Sequence, residues 1–437
     1  MMKLRIALLA ALAGAGCSEE DPRPSIILVS WDAVRADHTS LHGYERATTP
    51  NLDQLATEAL VFERAHTTQP YTMSHMGLLT GLYPSAHGVD ENHGLSPRLP
   101  TLAERLQAEG YDTVALYHPG WIDERYGFAR GFDTFRHHWT AEQARVNLEE
   151  ELGRLDGGPF FLFLHLFDAH NAGLDDPART IYDPPAPFRR MWLDDAPERV
   201  AAHTSREFYE DLVEPTDAEL EGIVALYDGG ISYLDSVLGT WVDGWRASGI
   251  LDDAILVVTT DHGESVGTRG RLYGHGDMYQ EGLHVPLVIR WPDGFREGER
   301  ELGPVSQVDV LPTLLQAAGL EPESWRSGYS LRDGRPVGRP VIAQVGAVRA
   351  VIDWPWKLIQ NGAGWSAEVY SLDRDPDELK PHATGQQFRL KVAELGRLAD
   401  AELASRPLPA GADPVELSAL VDDDVERLRA LGYLGDE

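Results

Sequence analysis

Only one cysteine, Cys17, occurs in the 437 residues of this chain. A disulfide framework, a thiolate metal site and a catalytic thiol are thereby excluded. Lysine is nearly as scarce, with Lys3, Lys357, Lys380 and Lys391 the only examples, so arginine carries most of the positive charge. Acidic residues outnumber basic ones by 70 to 38, a formal net charge of -32, and a field of that sign repels nucleic acid, which is not expected as a partner. There is no internal repeat and no low-complexity tract. The hydrophobic fraction of 43% and charged fraction of 25% are those of an ordinary globular protein, and the length allows more than one domain.

The first residues stand apart from the rest. Lys3 and Arg5 precede the apolar run Ile6 to Ala13, and the small residues Gly14, Ala15 and Gly16 lead to Cys17. The run is too short for a mature transmembrane helix and has the layout of an export signal. It resembles a bacterial lipoprotein signal with Cys17 as the lipidated residue, although Leu12 lies further from the cysteine than that pattern prefers. We therefore expect residues 1–17 to be a signal, residues 18–24 a tether, and the protein to be exported. It would be a cell-envelope lipoprotein anchored on the periplasmic side of a bacterial membrane, or secreted or periplasmic if Cys17 is not lipidated.

From Ser25 onward apolar strand-like runs alternate with helix-period segments, the signature of an α/β fold with a mostly parallel sheet. Three runs end in chemistry. Ser25 to Trp31 leads to Asp32, Ala254 to Thr259 to Asp261 and His262, and Phe160 to Phe167 to Asp168 and His170. Ligands collect at the carboxyl ends of strands in such sheets, so these residues read as one candidate metal site, with Gly263 letting the backbone turn sharply. Helices are expected over Pro50 to Ala59, Thr101 to Glu109, Ala218 to Ser248 and Asp309 to Ala317, and further strands over Thr113 to Tyr117 and Val285 to Trp291. Asn171 to Glu214 is rich in proline and aperiodic, an insertion or lid. The division expected is a catalytic domain over 25–337 and, from Gly338, an antiparallel β subdomain over 338–437 that ends in a helical tail from Leu417 to Gly432.

PSIILVSWDAVRADHTSLHGY, TTPNLDQLA, LLTGLYPSAHGV, TLAERLQAEGYDT, YDGGISYLD, TTDHGE, YGHG and VPLVIRWP follow one another in this order. They resemble the successive blocks of sulfatases within the alkaline phosphatase superfamily, and KLI, EVYSLDRDPDE and LRALGYLG resemble the end of such chains. The resemblance implies an α/β/α sandwich with a small C-terminal antiparallel subdomain. It also implies one divalent metal ion on Asp32, Asp261, His262 and a nucleophilic side chain. Oxygen ligands with one imidazole suit Ca²⁺, Mn²⁺ or Mg²⁺, and His262 tilts the choice towards Mn²⁺ or Zn²⁺. Ala33 stands where many sulfatases carry a second aspartate.

At the nucleophile the chain departs from the family. C-x-P-S-R or S-x-P-S-R is replaced by YTMSH, with Tyr71 at the ungapped position, so no formylglycine is expected. A T-x-P-S-H pattern with one residue deleted puts Thr72 in that place, with Ser74 the alternative. A hydroxyl beside a cation at a helix N-terminus is a reasonable nucleophile. His170 and His275 match family histidines that could protonate the leaving oxygen, and Arg35, His75, His118 and Arg271 are candidates for holding the anion. The activity expected is hydrolysis of sulfate esters of a small molecule, glycan or lipid. Phosphodiester or phosphonate monoester hydrolysis, or phosphoryl or sulfuryl transfer, is the alternative, and a non-catalytic ligand-binding lipoprotein the second.

Overall fold

The runs that carry no charge become the centre of the sheet. In the computed structural model, described over residues 23–155, 157–170, 180–201, 203, 207, 213–268, 276, 278–361, 366–382 and 384–417, we label the main strands in chain order. They are β1 (Ser25–Trp31), β2 (Leu60–His66), β3 (Asp112–Tyr117), β4 (Thr134–His137), β5 (Phe160–Leu166), β6 (Ala254–Thr260), β7 (Leu287–Arg290) and β8 (Arg300–Ser306). Their order in the sheet is β8-β2-β7-β6-β1-β5-β3-β4. β1 pairs in parallel with both β5 and β6, β5 with β3 and β3 with β4. Only β7 runs antiparallel to its two neighbours. The run from Val285 to Trp291 is broken at Pro286, which has no N–H for the ladder; His284–Val285 pairs with β2 before the break.

A strand at the centre of such a sheet must be apolar on both faces. Ile27, Val29 and Trp31 of β1 enter the core on one side, and Ile26 and Leu28 enter the core on the other. Helices cover both faces, which makes three layers. On the first side lies α3 (Asp217–Ser248), begun by a capping box of Thr216 and Glu219, with Ile223, Leu226, Ile231, Leu234, Leu238 and Trp241 all buried. On the other lies α2 (Ser74–Thr80). The expected helix from Pro50 divides into α1 (Pro50–Leu55) and a 3-10 turn, Ala56–Glu58. Within the insertion, Ile181, Tyr182 and Val200 are buried in the core beside α3.

After Gly338 come β9 (Val341–Val345), β10 (Val348–Asp353), β11 (Trp356–Asn361) and β12 (Ala367–Ser371), an antiparallel sheet in chain order. Helix α4 (Gly385–Ala404) packs on it through Leu395 and Ala399, beside Ile342, Val351, Leu358 and Val369. Ala343 and Ala350 pack with Met278 and Leu283. The signal and tether through residue 22, and the expected helical tail beyond residue 417, lie outside the described residues.

Candidate active site

β1, β5 and β6 are adjacent and parallel, so their carboxyl ends deliver side chains to one place. Strand β1 leaves the sheet through a strained turn. Ala33 has φ 59°, a conformation that costs a non-glycine residue about 1 kcal/mol or more. Tyr227 of α3 holds the turn, its hydroxyl donating to the Ala33 carbonyl at 2.7 Å and accepting from the Arg35 N–H at 3.0 Å. The Ala33 N–H donates to Asp261 Oδ1 at 3.1 Å. Ala33, which stands next to Asp32 in place of a second aspartate, thus supports Asp261 through its backbone.

Each carboxylate has one tied oxygen and one turned inward. Asp261 Oδ1 accepts from Ala33 and from the His262 N–H at 2.8 Å, leaving Oδ2 without a hydrogen-bond partner among the described residues. Asp32 Oδ2 accepts from His165 Nε2 at 3.0 Å and from the Thr72 hydroxyl at 3.5 Å; its Oδ1 has no such partner there. His262 Nδ1 donates to the Gly263 carbonyl at 2.7 Å, which directs Nε2 to within 3.5 Å of Asp32 Oδ1 and of Asp261 Oδ2. His170 Nε2 lies 3.8 Å from Asp32 Oδ1.

These groups are fully buried, and their protonation reflects it. Burial pushes the Asp32 carboxyl up to about 6, although His262, Asp261 and Thr72 pull the other way. Asp261 is raised by burial and by the charge of Asp32. Burial would lower His262, but the two carboxylates outweigh it and the imidazole is raised. A field that holds a proton on His262 suits a cation in the same place. Buried carboxylate oxygens without donors, beside imidazole nitrogens within metal-ligating distance of one another, fit a divalent ion.

A second grouping, His75, His165 and Asp261, also brings ligand atoms together, but protein hydrogen bonds account for its central member. His75 Nδ1 donates to the Thr72 carbonyl at 2.8 Å, and Nε2 lies 2.8 Å from the Ser30 hydroxyl. Burial drives this imidazole down to about 3, so it is neutral, which fits Ser30 as the donor to Nε2. His75 is placed to fix the turn that carries Thr72.

That turn runs through overlapping backbone bonds, Ser74 N–H to the Tyr71 carbonyl and His75 N–H to the Thr72 carbonyl, into a helix of seven residues. Thr72 points to Asp32. Ser74 does not, since its hydroxyl donates to the Asp261 carbonyl at 2.8 Å. Tyr71 turns its hydroxyl to Gly276, where any side chain would collide with it.

The other expected residues are dispersed. Arg35 gives its guanidinium to Asp37, at 2.6 and 2.8 Å, and to the Glu264 carbonyl. His118 is buried with its ring stacked on Phe167. Asp168, read as the third carboxylate of the cluster, caps the Ala141 N–H at 3.0 Å instead, and His170 is the residue of that loop that joins the cluster. Gly263 is glycine because a Cβ would overlap the Glu281 carbonyl, not because of its φ. Cys17, Arg271 and His275 lie outside the described residues.

His165 is the site residue that sequence reasoning passed over. It sits inside the apolar run of β5, in register with Ser30, and a lone histidine in a strand buried on both faces was the available signal. Gly230 of α3 completes the scaffold, since a Cβ there would lie 3.0 Å from Ala169 Cα and hold the His170 loop away.

A family model for sulfatases matches residues 24–320. A sulfatase from Formosa agariphila is 23% identical over 91% of this chain and 92% of its own length. Among solved structures, the phosphonate monoester hydrolase of Agrobacterium radiobacter is similar with a TM-score of 0.69 at 22% identity, covering 91% of this chain and all of its own. A protein solved with its substrate D-glucosamine-2-N,6-O-disulfate gives a TM-score of 0.70 at 19% identity, covering 86% and 97%. At these identities the structures speak for the fold, while the family model spans well over half the sequence: the chain belongs to the sulfatase family of the alkaline phosphatase superfamily.

Proposed function

We propose that this protein is an exported, metal-dependent hydrolase of sulfate esters in which the Thr72 hydroxyl, rather than a formylglycine, is the nucleophile. The observation that carries the reading is the approach of Thr72 Oγ1 to Asp32 Oδ2 beside inward-facing oxygens of Asp32 and Asp261. A divalent ion held by Asp32, Asp261 and His262, with His170 and Thr72 within the same cluster, would supply positive charge to the ester oxygens and lower the pKa of the nucleophile. The second imidazole favours Mn²⁺ or Zn²⁺ over Ca²⁺ or Mg²⁺.

The residues divide the work. Asp32 orients the Thr72 hydroxyl, and His165 and His75 hold Asp32 and the Thr72 turn in register. As the Thr72 oxygen attacks the sulfur its proton passes to Asp32 Oδ2, to which the hydroxyl donates. The bond from sulfur to the ester's organic oxygen breaks, that oxygen leaves with a proton, and water then cleaves the S–O bond of the threonine sulfate to release sulfate and restore the hydroxyl. The proton for the leaving oxygen falls to His170 or His275, the two histidines that the family resemblance offers for it. Arg35 is engaged by Asp37 and the Glu264 carbonyl and is not among the residues on which this reading rests.

Phosphonate monoesters or phosphodiesters are the second reading. It is favoured by the unmodified hydroxyl nucleophile and by the likeness to a phosphonate monoester hydrolase. Turnover of matched aryl sulfate, phosphate diester and phosphonate esters by metal-loaded protein separates the two: sulfate esters should be preferred, and a preference for phosphorus esters would favour the second. Export by the Cys17 signal is part of the reading. Membrane association of the full chain that is lost in Cys17→Ala tests it.

A further inference from the structure

The carboxyl edge of the sheet continues past the cluster. From β6 and β1, which carry Asp261, His262 and Asp32, the order runs through β5 and β3 to the edge strand β4. The residues that follow those strands form a chain of rings. His170 stacks on Phe167 with centroids 4.2 Å apart and planes at 22°, and Phe167 stacks on His118 at 4.0 Å and 6°. His118 meets Trp139 edge to face at 5.5 Å and 89°.

The three inner rings are buried, but Trp139 is 50% exposed. Single exposed apolar residues are common and by themselves carry no meaning. Trp139 differs in how it is fixed. Its N–H donates to Gln143 Oε1 at 2.7 Å, and the following turn is bound to the His170 loop by the bond from Ala141 N–H to Asp168. These bonds fix the backbone that carries the indole, and the ring itself packs edge to face with buried His118 and with His137 at 6.0 Å and 75°, so it is a platform of low ordering cost for a flat apolar ligand face.

We propose that Trp139 is a binding platform for an uncharged sugar ring of an oligosaccharide whose sulfate ester lies at the Asp32 cluster. The ligand's identity rests on the sulfate-ester reading above. Trp139 stands three strand spacings from β1, about 14 Å, so a small aryl ester at the cluster does not reach it and an oligosaccharide does. Indole faces take the C–H surface of a pyranose by dispersion and burial. The net charge of -32 selects a lightly sulfated chain, because a polyanionic one would be repelled.

Full-length wild type, Trp139→Ala and Trp139→Phe are titrated by calorimetry with galacto-, cello- and chito-tetraose, each bearing one sulfate. The same proteins are assayed on the tetraoses that bind and on 4-nitrophenyl sulfate, with thermal melting to verify the fold. At least one tetraose should bind the wild type, with Kd and KM roughly tenfold weaker in Trp139→Ala and largely recovered in Trp139→Phe. Values of kcat/KM for 4-nitrophenyl sulfate should be equal in all three. Binding needs no turnover, so the two readings fail separately. Binding that depends on Trp139 without turnover of any ester keeps the platform and sinks the hydrolase. Binding indifferent to Trp139→Ala, or absent for every tetraose, overturns the platform whether or not the small ester is cleaved.

Discussion

Replacing Asp32 by asparagine should have opposite effects with and without metal. In the folded protein burial raises the Asp32 carboxyl from 3.8 to about 6. A folded pKa above the unfolded one means a contribution that is fully present below 3.8 and lost as pH rises through 6. At pH 7.5 in a chelator the ionised carboxylate therefore costs up to about 3 kcal/mol, from roughly two units of pKa. Asparagine removes that charge, can accept from His165 with its Oδ1, and presents an amide N–H to Asp261. Asp32→Asn should be more stable than wild type in EDTA at pH 7.5, by up to about 3 kcal/mol, and the gain should vanish near pH 4. A divalent ion at a thousand times its Kd should add about 4.1 kcal/mol to wild type and little to the variant, which exceeds the variant's lead of up to about 3 kcal/mol, so the order of melting temperatures reverses. Chelator-buffered thermal melts at both pH values read this directly. A variant less stable than wild type in EDTA, or an ion that stabilises both equally, would refute the reasoning.

Other consequences can be measured on single variants. Thr72→Ala should abolish ester turnover, by a thousandfold or more on the order expected for a lost nucleophile, whereas Ser74→Ala should retain most of it because its bond is to the Asp261 backbone; the reverse pattern in steady-state rates would move the nucleophile to Ser74. His165→Leu should weaken ion affinity by roughly 10- to 100-fold, with partial recovery in His165→Gln; unchanged affinity in a metal-indicator competition would remove His165 from the positioning set. The cluster of His66, which is buried, with the partly buried His42 and His284 predicts acid lability. Burial lowers all three, His42 to about 3, so their contribution is present above 6.5 and is lost as pH falls below it, for His42 down towards 3. Urea unfolding should show stability declining as pH falls below 6.5, with His42 alone contributing up to about 1.4 kcal/mol per pH unit between pH 6 and 5, and a flat profile would contradict neutral imidazoles in the folded protein.

The sheet centre was legible because strands buried on both faces must be continuously apolar, and β1, β5 and β6 are. So was the pairing of Asp32 with Asp261 and His262, since parallel neighbours deliver their ends together. The small antiparallel sheet was legible from its alternating short runs. The edge strand β4, Thr134–His137, was not: it pairs on one side only and carries Arg136 and His137, with no apolar signature. Helix α4 was not, because only Leu395, Gly396 and Ala399 of its twenty residues are buried. Asp168 was misread for a related reason. A carboxylate after a strand can serve a metal or a helix N-terminus with the same chemistry, and the start of the helix at Ala141 is remote in sequence. His165 was hidden by the opposite effect, a polar residue inside a run whose apolar neighbours defined the strand.

The most direct test of the account is to find where the ester goes. Metal-loaded protein mixed with an aryl sulfate and acid-quenched during turnover should, after proteolysis and mass spectrometry, carry a sulfate on the peptide containing Thr72. The adduct should be absent in Thr72→Ala. Turnover that proceeds with no adduct on Thr72, or that survives its replacement by alanine, would contradict the threonine nucleophile on which the mechanism depends.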